Sequence, residues 1–186
     1  MKDLNLKEKY IKEVVPALKA KFGYKNEMAV PKITKIVVNV GTGRMSQQAN
    51  FTDKLLPAVV NELMAITGQK PRTNPSKKSI AGFKMRQGTV VGVSVTLRGA
   101  RMYDFLDKMN KIVFPRVRDF KGLETKGVDS AGNLSLGFKE HTVFPEITPE
   151  NAKADFGIQV TVVSQVNTRE EAVEMFRLLG VPLKKD

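Results

Sequence analysis

Thr89 to Leu97 reads TVVGVSVTL, and its alternation decides the fold class. Successive side chains of a strand point to opposite faces. Val91, Val93, Val95 and Leu97 therefore share one side, while Gly92, Ser94, Thr96 and Arg98 share the other. Upstream, Lys32 to Val40 (KITKIVVNV), opened by Pro31 and closed by a GTG turn, sets Ile36, Val38 and Val40 against Lys35 and Asn39. Downstream, Phe156 to Val163 sets Ile158, Val160 and Val162 against Gln159 and Thr161. Three strands thus each offer one apolar face and one face of hydrogen-bonding groups with few acids.

Helical spacing fills the intervals. Ile11, Val14, Val15, Leu18 and Phe22 fall at helical spacing and predict a first amphipathic helix ending near Gly23. Phe51, Leu55, Val59 and Leu63, with the neighbouring Leu56, Val60 and Met64, predict a second that stops at Gly68. Arg101 to Val113 predicts a third, burying Met102, Phe105, Leu106, Met109, Ile112 and Val113. The last carries a capping box at Thr168 and Glu171, ends at Gly180 and Pro182, and buries Ala172, Val173, Phe176 and Leu179. Gln69 to Ser79, with two prolines, is an edge strand at best, leading into a loop. Pro115 to Phe144 reads as irregular, with a DSAGN turn before the alternating Leu134 to Phe138. Strands separated by helices predict an α+β fold: one largely antiparallel sheet, helices on one face, the polar face turned toward a ligand.

At 186 residues the chain is expected to form one domain, 1–186, with a mobile loop at about 75–88. It has no cysteine, which removes disulfides, thiolate metal sites and cysteine nucleophiles together. No run of 18 apolar residues exists, and the N-terminus MKDLNLKEKYIKEVV lacks the apolar core of a secretory signal, so a cytoplasmic protein without membrane insertion is expected. Net charge is +12, which points to a polyanion, with a membrane surface the weaker option. Its distribution says more. Between Leu63 and Tyr103 stand eight basic residues (Lys70, Arg72, Lys77, Lys78, Lys84, Arg86, Arg98, Arg101) and no acidic one. A solvated helix face mixes signs, so a one-sign stretch points to nucleic acid.

Catalytic chemistry finds no footing. GTGR (Gly41 to Arg44) lacks the third glycine of a dinucleotide fingerprint and the Gly-Lys-Ser/Thr ending of a P-loop. It reads as a tight turn, with glycine amides able to approach an RNA backbone. His141 is the only histidine and no metal-ligand spacing surrounds it, so it reads as a structural or surface residue. No enzyme, metal or cofactor is expected. The segment PSKKSIAGFKMRQG (Pro75 to Gly88) differs in kind. Lys77, Lys78, Lys84 and Arg86 can neutralise phosphates, and Ile80, Ala81, Phe83 and Met85 interleave apolar groups suited to sugars or exposed bases. Gly82 and Gly88 leave its backbone free to conform, and Phe83 is either exposed for stacking or tucked into the core.

Residues 66–106, ITGQKPRTNPSKKSIAGFKMRQGTVVGVSVTLRGARMYDFL, resemble the family of large-subunit ribosomal proteins that binds 5S ribosomal RNA, the fifth in the usual large-subunit naming. KITKIVVNVGTG, FPRVRDFKGL (Phe114 to Leu123), GNLSLGFKEHTVFPEI (Gly132 to Ile147) and GIQVTVV continue the resemblance in order over nearly the whole chain. It implies an α+β protein of the central protuberance of the bacterial large subunit. There the family holds 5S rRNA, helps join it to the large rRNA beside neighbouring proteins of the 5S particle, reaches the peptidyl-site (P-site) tRNA through a loop, and bridges to a protein of the small-subunit head.

Carried onto this sequence, the tRNA-reaching loop is Ser76, Lys77, Lys78, Ser79, Ile80, Gly82, Phe83, Lys84 and Arg86. The 5S rRNA contacts are Lys35, Asn39, Gly41, Gly43, Gln69, Lys70, Arg72, Ser94, Thr96 and Arg98. Arg44 stands where the family commonly has an acidic residue, which makes this turn more basic. The competing expectation is a free-standing RNA-binding module or RNA chaperone. Against the module stands the Thr89 strand, which has no aromatic residue to stack bases.

Overall fold

The computed structural model describes residues 5–148, 150 and 154–184. Five antiparallel strands, β1 (Lys32–Gly41), β2 (Arg72–Pro75), β3 (Val90–Leu97), β4 (Leu134–Phe138) and β5 (Ile158–Gln165), lie in the spatial order β2-β3-β1-β5-β4. The alternation is realised strand by strand. Ile36, Val38 and Val40 of β1, Val93, Val95 and Leu97 of β3, and Ile158, Val160 and Val162 of β5 are buried. Lys35 and Asn39, Ser94 and Thr96, and Gln159 and Thr161 between them are half-buried or exposed. The α+β class expected from the sequence is the class observed. β2 is an edge strand whose register slips between Asn74 and Pro75, the place where a residue without an N–H is tolerated.

Among the described residues, four helical stretches longer than a single turn accompany the sheet: α1 (Leu6–Lys9, Tyr10–Val14 and Val15–Phe22 in succession), α2 (Phe51–Leu55, then Leu56–Thr67), α3 (Ala100–Lys108, Met109–Val113 and Phe114–Arg116) and α4 (Arg169–Leu178). Three of them share a device that periodicity alone did not reveal. The amides of Val15, Leu56 and Phe114 each bond to the carbonyl five residues back, and each is followed by a proline: Pro16, Pro57 and Pro115. Proline has no N–H to donate and its ring crowds the carbonyl four residues back, so one widened turn just before it relieves the conflict. The extra residue rotates the helix face by about 100°. Positions chosen on uninterrupted 3.6 spacing are therefore turned outward. Ile112 is 42% exposed, against the expectation that it is core, and Ile11, on the apolar stripe of the first helix, is 57% exposed. Met64, after the widened turn of α2, is also exposed. Val14, Leu18, Val59, Leu63, Met102, Phe105, Leu106, Met109 and Val113 are buried as expected.

The chain divides into two compact units. The first comprises Met1–Ile36, Leu97–Leu136 and Thr161–Asp186. In it the Tyr10 hydroxyl donates to the Pro31 carbonyl at 2.9 Å, and burial pushes the hydroxyl pKa up to about 12. Thr168 caps α4 by accepting from the Glu171 amide, and Glu171 Oε2 accepts in return from the Asn167 amide, so the predicted box is present with its return arm one residue further back. The DSAGN turn closes on Asp129. Its carboxylate accepts the Asn133 side-chain amide at 2.9 Å and the Asn133 backbone N–H at 2.7 Å, which holds it below the usual carboxylate range.

The second unit comprises Val37–Thr96 and Gly137–Val160. Its core holds α2 and, beside it, His141. That imidazole is 1% exposed, stacks on Phe156 with ring centroids 4.1 Å apart, and sets Nε2 3.2 Å from Glu62 Oε2. His141 is thus structural, the first of the two expected roles.

Candidate nucleic-acid interface

Residues 76–89, expected as a loop, form a hairpin arm. Ser76 and Thr89 pair at its root (2.8 Å), Gly88 donates back to Ser76 (2.9 Å), and Ile80 and Met85 exchange both backbone bonds near the tip at 2.9 and 3.1 Å. A short helical turn, Ala81–Phe83, caps it. The Ser76 hydroxyl donates to Lys78 O at 2.7 Å, and Ser79 Oγ accepts the Gln87 amide at 3.0 Å. Of the two glycines expected to free the backbone, Gly88 does take a left-handed conformation (φ +86°), whereas at the tip it is Lys84 (φ 51°) and not Gly82 that does so.

Self-bonded backbone leaves the side chains outside. Lys77, Lys78, Lys84 and Arg86 are exposed, as are Ser79, Ile80 and Gly82. Phe83 is 64% exposed, so its ring is not tucked into the core. Gln47, which sequence inspection passed over, donates from Nε2 to the Phe83 carbonyl at 3.1 Å and braces the tip.

The GTG turn follows β1 in the same unit. Buried Thr42 anchors it through its N–H to Val91 O (3.0 Å) and its hydroxyl to Val90 O (3.4 Å). Ser46 closes the next turn onto Gly43 O at 2.8 Å. A Cβ on Gly41 or Gly43 would meet nothing within 4 Å, and neither takes a positive φ, so the turn geometry demands neither glycine. What they supply is bare backbone at the surface. Arg44 beside them is exposed.

At the end of α2, Gly68 takes a left-handed φ of +66° and turns the chain into the Gln69-Lys70 corner. The corner is held by Thr67, whose hydroxyl serves Leu63 O and Gln69 O, and by Gln69 Nε2 reaching Thr96 O at 3.3 Å. Lys70 and Arg72 project outward. The β2–β3 register sets Arg72 opposite Ser94 and Asn74 opposite Gly92, so these four share one face, with Arg72 exposed, Asn74 and Ser94 half-buried and Gly92 buried. Asn39, Gly41, Gly43, Gln69, Lys70, Arg72, Ser94 and Thr96 are thereby gathered in one unit with the arm. Lys35 and Arg98 of the expected rRNA set fall in the other unit. Asn74, absent from that set, donates to Ser94 Oγ at 2.9 Å. Only strand pairing could place it there.

Electrostatics separate this surface from an ordinary basic one. Among the described residues, none of the eight cations from Lys70 to Arg101 makes an ion pair. Each is left to an external anion. No group of three or more histidine, cysteine or acidic side chains suited to a metal occurs among the described residues. No helix among them is long and apolar enough to cross a membrane.

Residues 26–86 match the family Ribosomal protein L5, and residues 90–183 match the family of its C-terminal part. The chain belongs to the ribosomal protein L5 family. Curated relatives agree over their whole length. The large ribosomal subunit protein uL5 of Carboxydothermus hydrogenoformans is 50% identical over 97% of this chain and 98% of its own, and that of Kosmotoga olearia 49% identical over 97% and 96%. The uL5 protein of Desulforamulus reducens is 47% identical over 97% of each. Membership makes the chain a structural protein of the large ribosomal subunit rather than an enzyme, and makes RNA the polyanion its charge is built for.

Proposed function

We propose that this chain binds 5S rRNA and anchors it in the central protuberance. The open strand face, the GTG turn and the Gln69-Lys70 corner serve as the platform, and the hairpin arm reaches P-site tRNA. The platform residues are Asn39, Gly41, Gly43, Gln69, Lys70, Arg72, Ser94 and Thr96, with Lys35 and Arg98 as outlying contacts. The arm acts through Lys77, Lys78, Lys84 and Arg86, with Ile80 and Phe83 meeting sugars or bases. The whole chain works as one ribosomal-protein domain beside neighbouring proteins of the 5S particle and the large rRNA, and contributes to a bridge with a protein of the small-subunit head.

The observation that carries this reading is the set of unpaired cations on a self-bonded arm and its adjoining strand face. A cation already paired within the protein releases no counterions from RNA, whereas a free one does. The polar groups between the cations supply the contacts that charge alone cannot make specific. Filter binding of the purified chain to 5S rRNA, tRNA and a random RNA of equal length, over a range of salt, tests it. A clear preference for 5S rRNA with a steep salt dependence is expected; equal binding to all three overturns the assignment.

A further inference from the structure

The hairpin arm has no core of its own. Of residues 77–88 only Met85 is even half-buried. A two-stranded hairpin standing alone in water is marginal at best, so what fixes its direction must come from outside it. Among the described residues, every hydrogen bond of residues 77–87 stays within 76–89, except one. The exception is the bond from Gln47 Nε2 to the Phe83 carbonyl at 3.1 Å. It is received at the tip, far from the Ser76–Thr89 root, where a single bond restrains the angle of the arm most. Lys84, next to Phe83, holds a left-handed φ of 51°, which a lysine keeps only where its surroundings impose it.

The other end of the bond is fixed as well. Gln47 ends a short helical turn, Met45–Gln47, that follows the GTG turn directly. Ser46 ties this turn back through its N–H to Thr42 O and its hydroxyl to Gly43 O, both at 2.8 Å. Thr42 in turn is bonded to Val90 and Val91, where the arm runs into β3. Arm, GTG turn and the start of β3 therefore close a ring of bonds in which Gln47 is the link to the tip. An exposed hydrogen bond contributes little to global stability, because water replaces it readily. Its consequence here is where the arm points.

We propose that Gln47 is a positioning residue that ties the angle of the arm to the GTG turn, so that RNA held on the turn fixes the arm for tRNA. This rests on the platform and arm readings given above and adds a coupling between them. An arm already held in its bound direction loses less freedom on meeting tRNA. Immobilising the turn that carries Gln47 extends that restraint to the tip.

The test uses Gln47→Ala and Gln47→Met in the full chain. Methionine keeps the length of glutamine and has no N–H to donate. Hydrogen exchange of the Ile80 and Met85 amides is followed with and without 5S rRNA, beside thermal unfolding, 5S rRNA affinity and P-site tRNA retention in ribosomes carrying each variant. In the free chain both variants are expected to exchange at the tip roughly fivefold faster, with melting temperature unmoved. Added 5S rRNA should slow exchange at Gly43 and at the tip in the unsubstituted chain, but only at Gly43 in the variants. Retention of tRNA should fall about fivefold while 5S rRNA affinity stays the same. Unchanged tip exchange in both free variants overturns the brace, and a Gln47→Met protein that behaves as unsubstituted overturns the hydrogen bond as its cause. Tip slowing by 5S rRNA that persists in both variants overturns the coupling, because the RNA would then cover the arm directly. If 5S rRNA leaves Gly43 of the unsubstituted chain unprotected, the platform reading falls and the coupling with it, whereas tip exchange in the free chain still reads the brace.

Discussion

In the unit that carries α1, α3 and α4, Lys12, Lys19, Lys21, Lys111 and Lys184 each end within 4 Å of a carboxylate, at 3.6, 3.7, 2.9, 2.9 and 3.8 Å. In the unit that carries the arm, Lys70, Arg72, Lys77, Lys78, Lys84 and Arg86 end on none. The overall charge of +12 hides this difference. Five lysines of the first unit satisfy its own acids, although Arg98 and Arg101 there do not; the second unit holds its six unpaired cations at the Gln69-Lys70 corner, on β2 and on a hairpin whose backbone is already bonded to itself. A paired surface lysine contributes little to stability and less to RNA affinity, whereas an unpaired one on a fixed scaffold keeps its attraction for phosphate.

Three variants break or sharpen that contrast. His141→Ala has the largest expected effect, because His141 lies in the RNA-facing unit but belongs to its core. Removing the ring that stacks on Phe156 and faces the buried Glu62 carboxylate should cost about 3 kcal/mol of stability. Urea unfolding measures it, and the RNA preference of the protein that remains folded should not change. A change in preference without a loss of stability would show that this unit does not separate core from interface.

Neutralising the arm with Lys77→Ala, Lys78→Ala and Lys84→Ala together comes next. Ribosomes carrying the triple variant should retain P-site tRNA roughly tenfold less well, with a salt dependence shallower by about two to three units. Binding of 5S rRNA should stay nearly intact. Abolished 5S binding would merge arm and platform into one site.

Lys21→Ala is the smallest. Its ammonium is half exposed and paired with Glu174 at 2.9 Å, so thermal unfolding should register no more than about 0.5 kcal/mol. RNA affinity should be unmoved at every salt concentration. A measurable loss of 5S rRNA affinity would mean that paired cations also contribute to the interface.

Several features were legible in the chain itself. Alternation in β1, β3 and β5 gave the sheet and both of its faces, since a period of two can be met in only one way. Glycine and threonine signals marked the ends of α1, α2 and α4. The basic run from Lys70 to Arg101 was visible because it contains no acid. Other features were not legible. The exposure of Ile11 and Ile112 was one, because nothing in local spacing announces that Pro16 and Pro115 widen the preceding turn. His141 could not be matched with Glu62, a residue 79 positions earlier. Gln47 carried no signal at all, because its bond is to a backbone carbonyl, which every residue possesses.

By itself, the sequence determined the α+β class, the polar strand faces, the family, and the stretch that carries the unpaired charge. These follow from period, composition and local motif, which act over a few residues and are written directly in the order of side chains. Only the tertiary structure decided that the basic segment is a braced hairpin, that its cations find no internal partners, and that Asn74 meets Ser94 across the β2–β3 pair. Those facts depend on the β2–β3 register and on strand order, which bring together residues dozens of positions apart. Long-range pairing is set by how the whole chain buries its apolar faces at once, and no local pattern encodes that outcome.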